Sequence, residues 1–182
     1  MRLTRDLPKM TSILFVCHGN ICRSPMAEFI LKRLVEIEHR EKDFYVESAA
    51  TSTEETGNPV YPPAQRVLAR HGIGCAGKRA RQMNVRDFEK FDYIILMDEN
   101  NLRNLRRILP PEIYRNECEA FVGKPFERRL RKVSLLLDYT DAPRDVADPW
   151  YTGDFDKTWN DIFAGCSKLL EALSAQNGQG HL

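Results

Sequence analysis

The stretch Cys17-His-Gly-Asn-Ile-Cys-Arg-Ser-Pro25 limits the possible folds more than any other part of the chain. Ahead of it, residues 12–17 form an apolar run of strand length. Behind it, Ser24 can cap and Pro25 can occupy the first turn of a helix whose apolar stripe is Met26, Phe29, Ile30, Leu31 and Leu34. Between the two, Gly19 and Asn20 tolerate the backbone angles of a tight loop. A strand fed through a tight loop into a helix N-terminus opens a β-α unit, so more such units are expected downstream.

They are legible. Strands are predicted over 44–50, 93–97 and, more weakly, 132–137; helices over 64–71, stopping at Gly72, over 99–109 and over 154–174. The last carries Phe155, Trp159, Ile162, Phe163, Leu169 and Leu170 for packing. This alternation predicts an α/β fold, a doubly wound parallel sheet of four strands with helices on both faces. Pro110-Pro111 and the charged residues 127–132 read as a surface excursion before the fourth strand. The expected organisation is a single domain over 11–176, an N-terminal extension over 1–10 and a flexible tail over 177–182.

Lys and Arg total 27 against 26 Asp and Glu, so there is no overall field to attract nucleic acid or an anionic membrane, and any anion must be recognised locally. No stretch of eighteen apolar residues is present, and residues 1–11 lack the apolar core of a signal peptide. Five cysteines, an odd number without regular spacing, favour a reducing compartment, and a cytoplasmic protein is the expectation.

A loop of this kind turns its backbone amides, those of His18, Gly19, Asn20, Ile21, Cys22, Arg23 and Ser24, around one small volume. The helix beginning near Pro25 adds the positive end of its dipole, and the natural occupant is a phosphoryl group. The same environment favours a nucleophilic thiolate at Cys17, with the Ser24 hydroxyl able to donate to it. Arg23 supplies a planar, permanently charged fork for two phosphate oxygens. A nucleotide-binding P-loop would need a Gly-Lys-Ser/Thr ending, and Cys17, His18 and Cys22 do not make up a four-ligand zinc site. Neither a metal nor a cofactor is expected.

Val16 to Pro25 fit the pattern Val-Cys-x-Gly-Asn-x-Cys-Arg-Ser-Pro at every specified position, and the chain resembles the low-molecular-weight protein tyrosine phosphatase family. Ser48-Ala49-Ala50-Thr51, His71-Gly72-Ile73, Phe91-Asp92-Tyr93 and Met97 to Leu102 extend the resemblance over most of the chain; the first ten residues and 110–131 have no counterpart. The resemblance implies hydrolysis of phosphotyrosine in protein substrates through a cysteinyl-phosphate on Cys17, with Arg23 as clamp. It implies that Asp148, in Asp148-Pro149-Trp150-Tyr151, protonates the leaving phenolate and later activates water. Ile21, Trp150 and Tyr151 would line the substrate pocket, with Glu54 where many relatives carry an aromatic residue. Asn20 would hold the loop in shape with His71 bracing it from outside. Asp98 would orient Arg23, although a helix N-cap serves equally well at that position. Cys22 would either capture an oxidised Cys17 or simply pack beneath the loop.

Three alternatives use the same loop. Protein arginine phosphatases resemble this family but carry Thr where this chain has the apolar Ile21, which suits a phenyl ring; Glu54 pulls the other way, toward a guanidinium. An arsenate reductase needs further cysteines placed for a disulfide relay, and Cys75 and Cys118 are far apart in sequence. A phosphoryl-binding or redox-sensing module would have no use for Asp148.

Overall fold

The computed structural model describes residues 10–178. Four parallel strands form one sheet in the order β2-β1-β3-β4: β1 (Thr11–Cys17), β2 (Phe44–Ala50), β3 (Tyr93–Leu96) and β4 (Val133–Leu135). Register runs Cys17 to Ala50 on one side of β1 and Val16 to Leu96 on the other. β1 is central because Ile13, Leu14, Phe15 and Val16 are all fully buried, as a strand covered on both faces requires. Their side chains alternate between two apolar layers. Ile13, Phe15 and Cys17 face a layer shared with α1 (Arg23–Ile37), α2 (Pro62–Arg70) and α8 (Phe155–Gly178). Leu14 and Val16 face another that includes Phe91, Leu102, Leu105, Leu109 and Cys118. The expected doubly wound architecture is therefore present, with the Cys17 loop at the C-terminal end of the central strand.

Several boundaries differ from expectation for identifiable reasons. The helix predicted over 99–109 is α4 (Glu99–Asn104) followed by a 3₁₀ turn, Leu105–Arg107, a tightening common at helix ends. The strand predicted over 132–137 stops at Leu135 because the Asp138 carboxylate accepts the Leu135 N–H at 2.8 Å and turns the chain into the 3₁₀ helix Leu136–Tyr139. Two short helices outside 110–131 also went unpredicted. One is α3 (Val85–Lys90), whose Asn84 and Asp87 form a reciprocal capping box that sequence spacing would have revealed; the other is α7 (Pro149–Thr152). The final helix runs through Gly178, past the expected start of the tail. Residues 1–9 of the expected extension and 179–182 of the tail lie outside the described residues.

The largest correction concerns 110–131, which is folded substructure and not a surface excursion. Pro111 opens α5 (Pro111–Glu117), Pro125 opens α6 (Pro125–Arg128), and the 3₁₀ turn Glu119–Phe121 lies between. Cys118 enters the second apolar layer, and Arg128 is buried. The Arg128 guanidinium donates two bonds to Asp138, at 2.8 and 2.9 Å, and others to Glu99 at 2.5 Å and the Phe121 carbonyl at 3.1 Å. Burial opposes its charge, but Asp138 and Glu99 outweigh that and raise its pKa. Removing one partner of such a pair leaves a buried charge uncompensated. Arg128→Ala is therefore expected to cost about 3–5 kcal/mol of stability in urea unfolding; a loss below about 1 kcal/mol, the range of an exposed pair, would show that the segment is not clamped there.

Candidate active site

At the end of β1 the chain turns through Asn20, whose φ of 59° lies in the left-handed region that Asn tolerates better than most residues. The turn brings the Asn20 N–H to 3.3 Å from Cys17 Sγ and Ser24 Oγ to 3.0 Å from it. Asn20 Nδ2 donates to Ser24 Oγ and to Ser48 Oγ, both at 2.9 Å, while its Oδ1 accepts the Arg81 N–H at 3.2 Å. With its oxygen already accepting from Asn20, Ser24 can direct its own proton at the sulfur. Ser48 in turn donates to the buried Glu28 at 2.5 Å, and Lys32 and Lys78 hold that carboxylate at 2.6 and 2.9 Å. A chain of polar contacts thus runs from the sulfur through Ser48 of β2 and back to α1, on the face of the sheet that Cys17 occupies. Ser48 and Arg81 were not singled out from sequence, although Ser48 lies within the quoted Ser-Ala-Ala-Thr segment.

His71 is not part of this arrangement. It stands at the C-terminal cap of α2 and stacks on Trp159 of α8, with ring centroids 3.7 Å apart and planes within 3°. Asn20 is braced by Ser24, Ser48 and the Arg81 amide, so the expected brace from His71 is replaced by backbone and hydroxyl partners.

The helix that follows is unusual at its start. Cys22 is the N-cap residue of α1 and makes no side-chain capping bond, and no acidic residue occupies the first turn. Helix N-termini leave up to four N–H groups without intrahelical partners, so an uncapped one can receive an anion.

Arg23 is buried and held from three sides. Its Nη1 donates to Asp98 Oδ2 at 2.6 Å and to the Val146 carbonyl at 2.9 Å, and its Nη2 to Asp148 Oδ2 at 2.9 Å. Burial opposes the charge, yet Cys17, Asp98 and Asp148 prevail and raise its pKa. Both sequence-based readings of Asp98 hold at once, since Oδ1 caps α4 by accepting the Asn101 N–H at 2.6 Å while Oδ2 meets Arg23. Asp148 divides its oxygens in the same manner: Oδ1 accepts the Trp150 N–H at 3.1 Å, capping α7.

These groups surround a pocket of about 150 Å³ lined by Cys17, His18, Gly19, Ile21, Cys22, Arg23, Glu54, Glu55, Asp148, Trp150 and Tyr151. One wall is aromatic, with Trp150 and Tyr151 exposed and Trp150 backed by Tyr61 at a centroid distance of 5.1 Å. The other is polar, and Glu54 there is turned toward His18, whose Nε2 lies 3.0 Å from Glu54 Oε2. Glu55 and Tyr61 escaped the sequence reading. Gly19 makes room for Glu55, because a Cβ there would stand 3.2 Å from Glu55 Cγ. Cys22 packs with Ile21 and Ala80, and burial, then the neighbouring Cys17 and Asp148, push its thiol well up.

The family profile for low molecular weight phosphotyrosine protein phosphatases matches residues 12–179. The chain belongs to this family. Among its curated relatives, the low molecular weight protein-tyrosine-phosphatase YfkJ of Bacillus subtilis is 37% identical over 92% of this chain and 98% of its own. The crystal structure of YfkJ superposes with a TM-score of 0.78 at 36% identity, over 92% of this chain and 97% of that one. The low molecular weight phosphotyrosine protein phosphatase of Gallus gallus is 38% identical over 90% of this chain and 96% of its own. A drosophila arginine phosphatase also superposes, with a TM-score of 0.70 at 31% identity over 88% of this chain and 96% of that one.

Proposed function

We propose that the chain hydrolyses phosphotyrosine in protein substrates through a cysteinyl-phosphate intermediate, in the cytoplasm, whose reducing setting keeps a catalytic thiol from being oxidised. The observation that carries this reading is the convergence of Cys17 Sγ, Arg23 and Asp148 on one pocket beside an uncapped helix N-terminus.

In the first step Cys17 Sγ attacks phosphorus, an S–P bond forms and the P–O bond to the aryl group breaks. Asp148, protonated, gives its proton to the leaving phenolate oxygen. Loop amides and Arg23 stabilise the equatorial oxygens as charge shifts. For that, Arg23 must turn Nη2 from Asp148 to the phosphoryl group, while Asp98 and the Val146 carbonyl retain Nη1. In the second step the Asp148 carboxylate takes a proton from water, the water oxygen bonds to phosphorus, and the S–P bond breaks to restore the thiolate. Ser24, 3.0 Å from the sulfur, stabilises the departing thiolate.

Phosphotyrosine is favoured over phosphoarginine because Ile21 offers apolar surface and Trp150 and Tyr151 offer an aromatic wall. The carboxylate that would draw a guanidinium, Glu54, is engaged by His18. An arsenate-reductase relay is disfavoured because Cys118 sits in the apolar layer opposite the one that holds Cys17.

The expected result is hydrolysis of aryl phosphates and phosphotyrosine peptides that vanadate and inorganic phosphate inhibit competitively and that chelators leave unchanged. Activity lost on chelation and restored by zinc or magnesium would overturn the thiolate mechanism. A higher kcat/KM on matched phosphoarginine peptides would overturn the substrate assignment alone.

A further inference from the structure

Beside the catalytic pocket lies a second, larger concavity of about 560 Å³. The two are continuous: His18, Arg23, Asp148 and Tyr151 line both. A tyrosine side chain seated in the pocket would leave its neighbours in the peptide at the mouth of this groove. At roughly 3.3 Å per extended residue, positions one to three away lie within about 10 Å of the phosphotyrosine.

The groove is lined by three arginines and three aspartates, but they are not matched one to one. Asp98 and Asp148 are both committed to Arg23, and Asp145 accepts the Glu99 N–H at 3.0 Å. Burial, followed by the neighbouring Asp98 and Glu99, pushes the Asp145 pKa upward. Two exposed arginines, one in α4 and one in the 3₁₀ turn that follows it, have no such partner. Arg103 donates to the neutral Asn100 amide at 3.3 Å, and among the described residues Arg106 pairs with no carboxylate. Glu54 and Glu55 line the pocket and not the groove, so the acidic groups of the pocket rim are set apart from the two arginines of the groove.

We infer that Arg103 and Arg106 form a subsite for acidic residues flanking the phosphotyrosine, so that the preferred substrate is a phosphotyrosine with Asp or Glu one to three positions away on one side. The inference rests on the phosphatase reading of the adjacent pocket. Exposed guanidinium groups with unoccupied forks pair bidentately with carboxylates, and the nearby Asn100 and Asn104 amides can serve the peptide backbone. Acidic residues on the wrong side would meet Glu54 and Glu55, so the subsite also sets which way round the peptide lies.

The test compares four phosphopeptides differing only in flanks: acidic before the phosphotyrosine, acidic after it, neutral, and basic. It uses wild type and the double variant R103E/R106E, with an aryl phosphate as reference. Wild type should prefer one of the two acidic peptides over the neutral one. The double variant should lose about tenfold in kcat/KM on that peptide, mainly through KM, as expected of two rim pairs. Its loss on the neutral peptide and on the aryl phosphate should be less than twofold. R103Q/R106Q should fall between, which separates charge from disturbed folding. Equal wild-type kcat/KM across the four peptides, or equal losses on acidic and neutral peptides, would overturn the subsite. If the aryl phosphate is hydrolysed normally in that case, the phosphatase reading stands; if wild type hydrolyses none of the substrates, the phosphatase reading itself fails.

Discussion

Cys17→Ser should lower turnover of any aryl phosphate by about 10⁴-fold or more while leaving inorganic phosphate binding within a few-fold of wild type. The first part follows because no other sulfur can take over. Cys22 is buried with its thiol pushed up by burial, Cys75 is half-buried with its thiol also raised, and Cys118 and Cys166 are buried thiols raised in the same way. The second follows because the anion is held by backbone amides, the uncapped start of α1 and Arg23, none of which the substitution touches. A serine hydroxyl can occupy the same position, between the Asn20 N–H and Ser24 Oγ, without disturbing the loop. Single-turnover kinetics together with calorimetric titration of phosphate would check both parts. Residual turnover within tenfold of wild type would remove Cys17 from the nucleophile's role.

The second large effect belongs to Asp148, and its size should depend on the substrate. A leaving group that is stable as an anion departs without a proton, whereas a phenolate as basic as that of tyrosine does not. Asp148→Asn is expected to slow hydrolysis of phosphotyrosine and phenyl phosphate by about 10²–10⁴-fold, the usual contribution of a general acid. Formation of the cysteinyl-phosphate from aryl phosphates with strongly electron-withdrawing substituents should be slowed far less. The amide is the right replacement, since its oxygen can still accept the Trp150 N–H and keep α7 capped. A plot of log kcat/KM, which reports the first step without the second, against leaving-group pKa should be nearly flat for wild type and steep for D148N. Parallel lines would mean that Asp148 is a structural cap alone.

The central strand and the loop were legible because local chemistry fixes them. An unbroken run such as Ile13 to Val16 has few places to go except the middle of a sheet, and the Cys17 to Pro25 segment satisfies its needs within a few residues. Asp148 lies 125 residues beyond Arg23, and only the resemblance pointed to it; the contact itself is tertiary. The failures have the same origin. His71 and Asn20 both belong to loop-helix junctions, but whether they meet depends on where α8 places Trp159, which no local pattern encodes. Arg128 read as one charge in a polar run because its partners, Asp138 and Glu99, are supplied by other elements. Ser48 and Arg81 were missed because a hydroxyl and a backbone amide carry no sequence signal until the fold brings them to Asn20.

Arg23 is never idle: in the absence of a phosphoryl group Asp148 occupies the arm that substrate will need. The enzyme therefore carries a tethered rival for its own anion site, present at an effective concentration that no dissolved carboxylate in the surroundings approaches. Weakly held anions such as chloride or small organic acids gain little by entering, since they must displace a ligand already seated with good geometry. A phosphoryl dianion that also collects the loop amides can win the exchange. Its arrival frees the Asp148 carboxylate as it takes up Arg23, so that the carboxylate can bind the proton it then donates to the leaving group. A single buried guanidinium passed between two anions thus gives the pocket a filter against common anions without any additional residue.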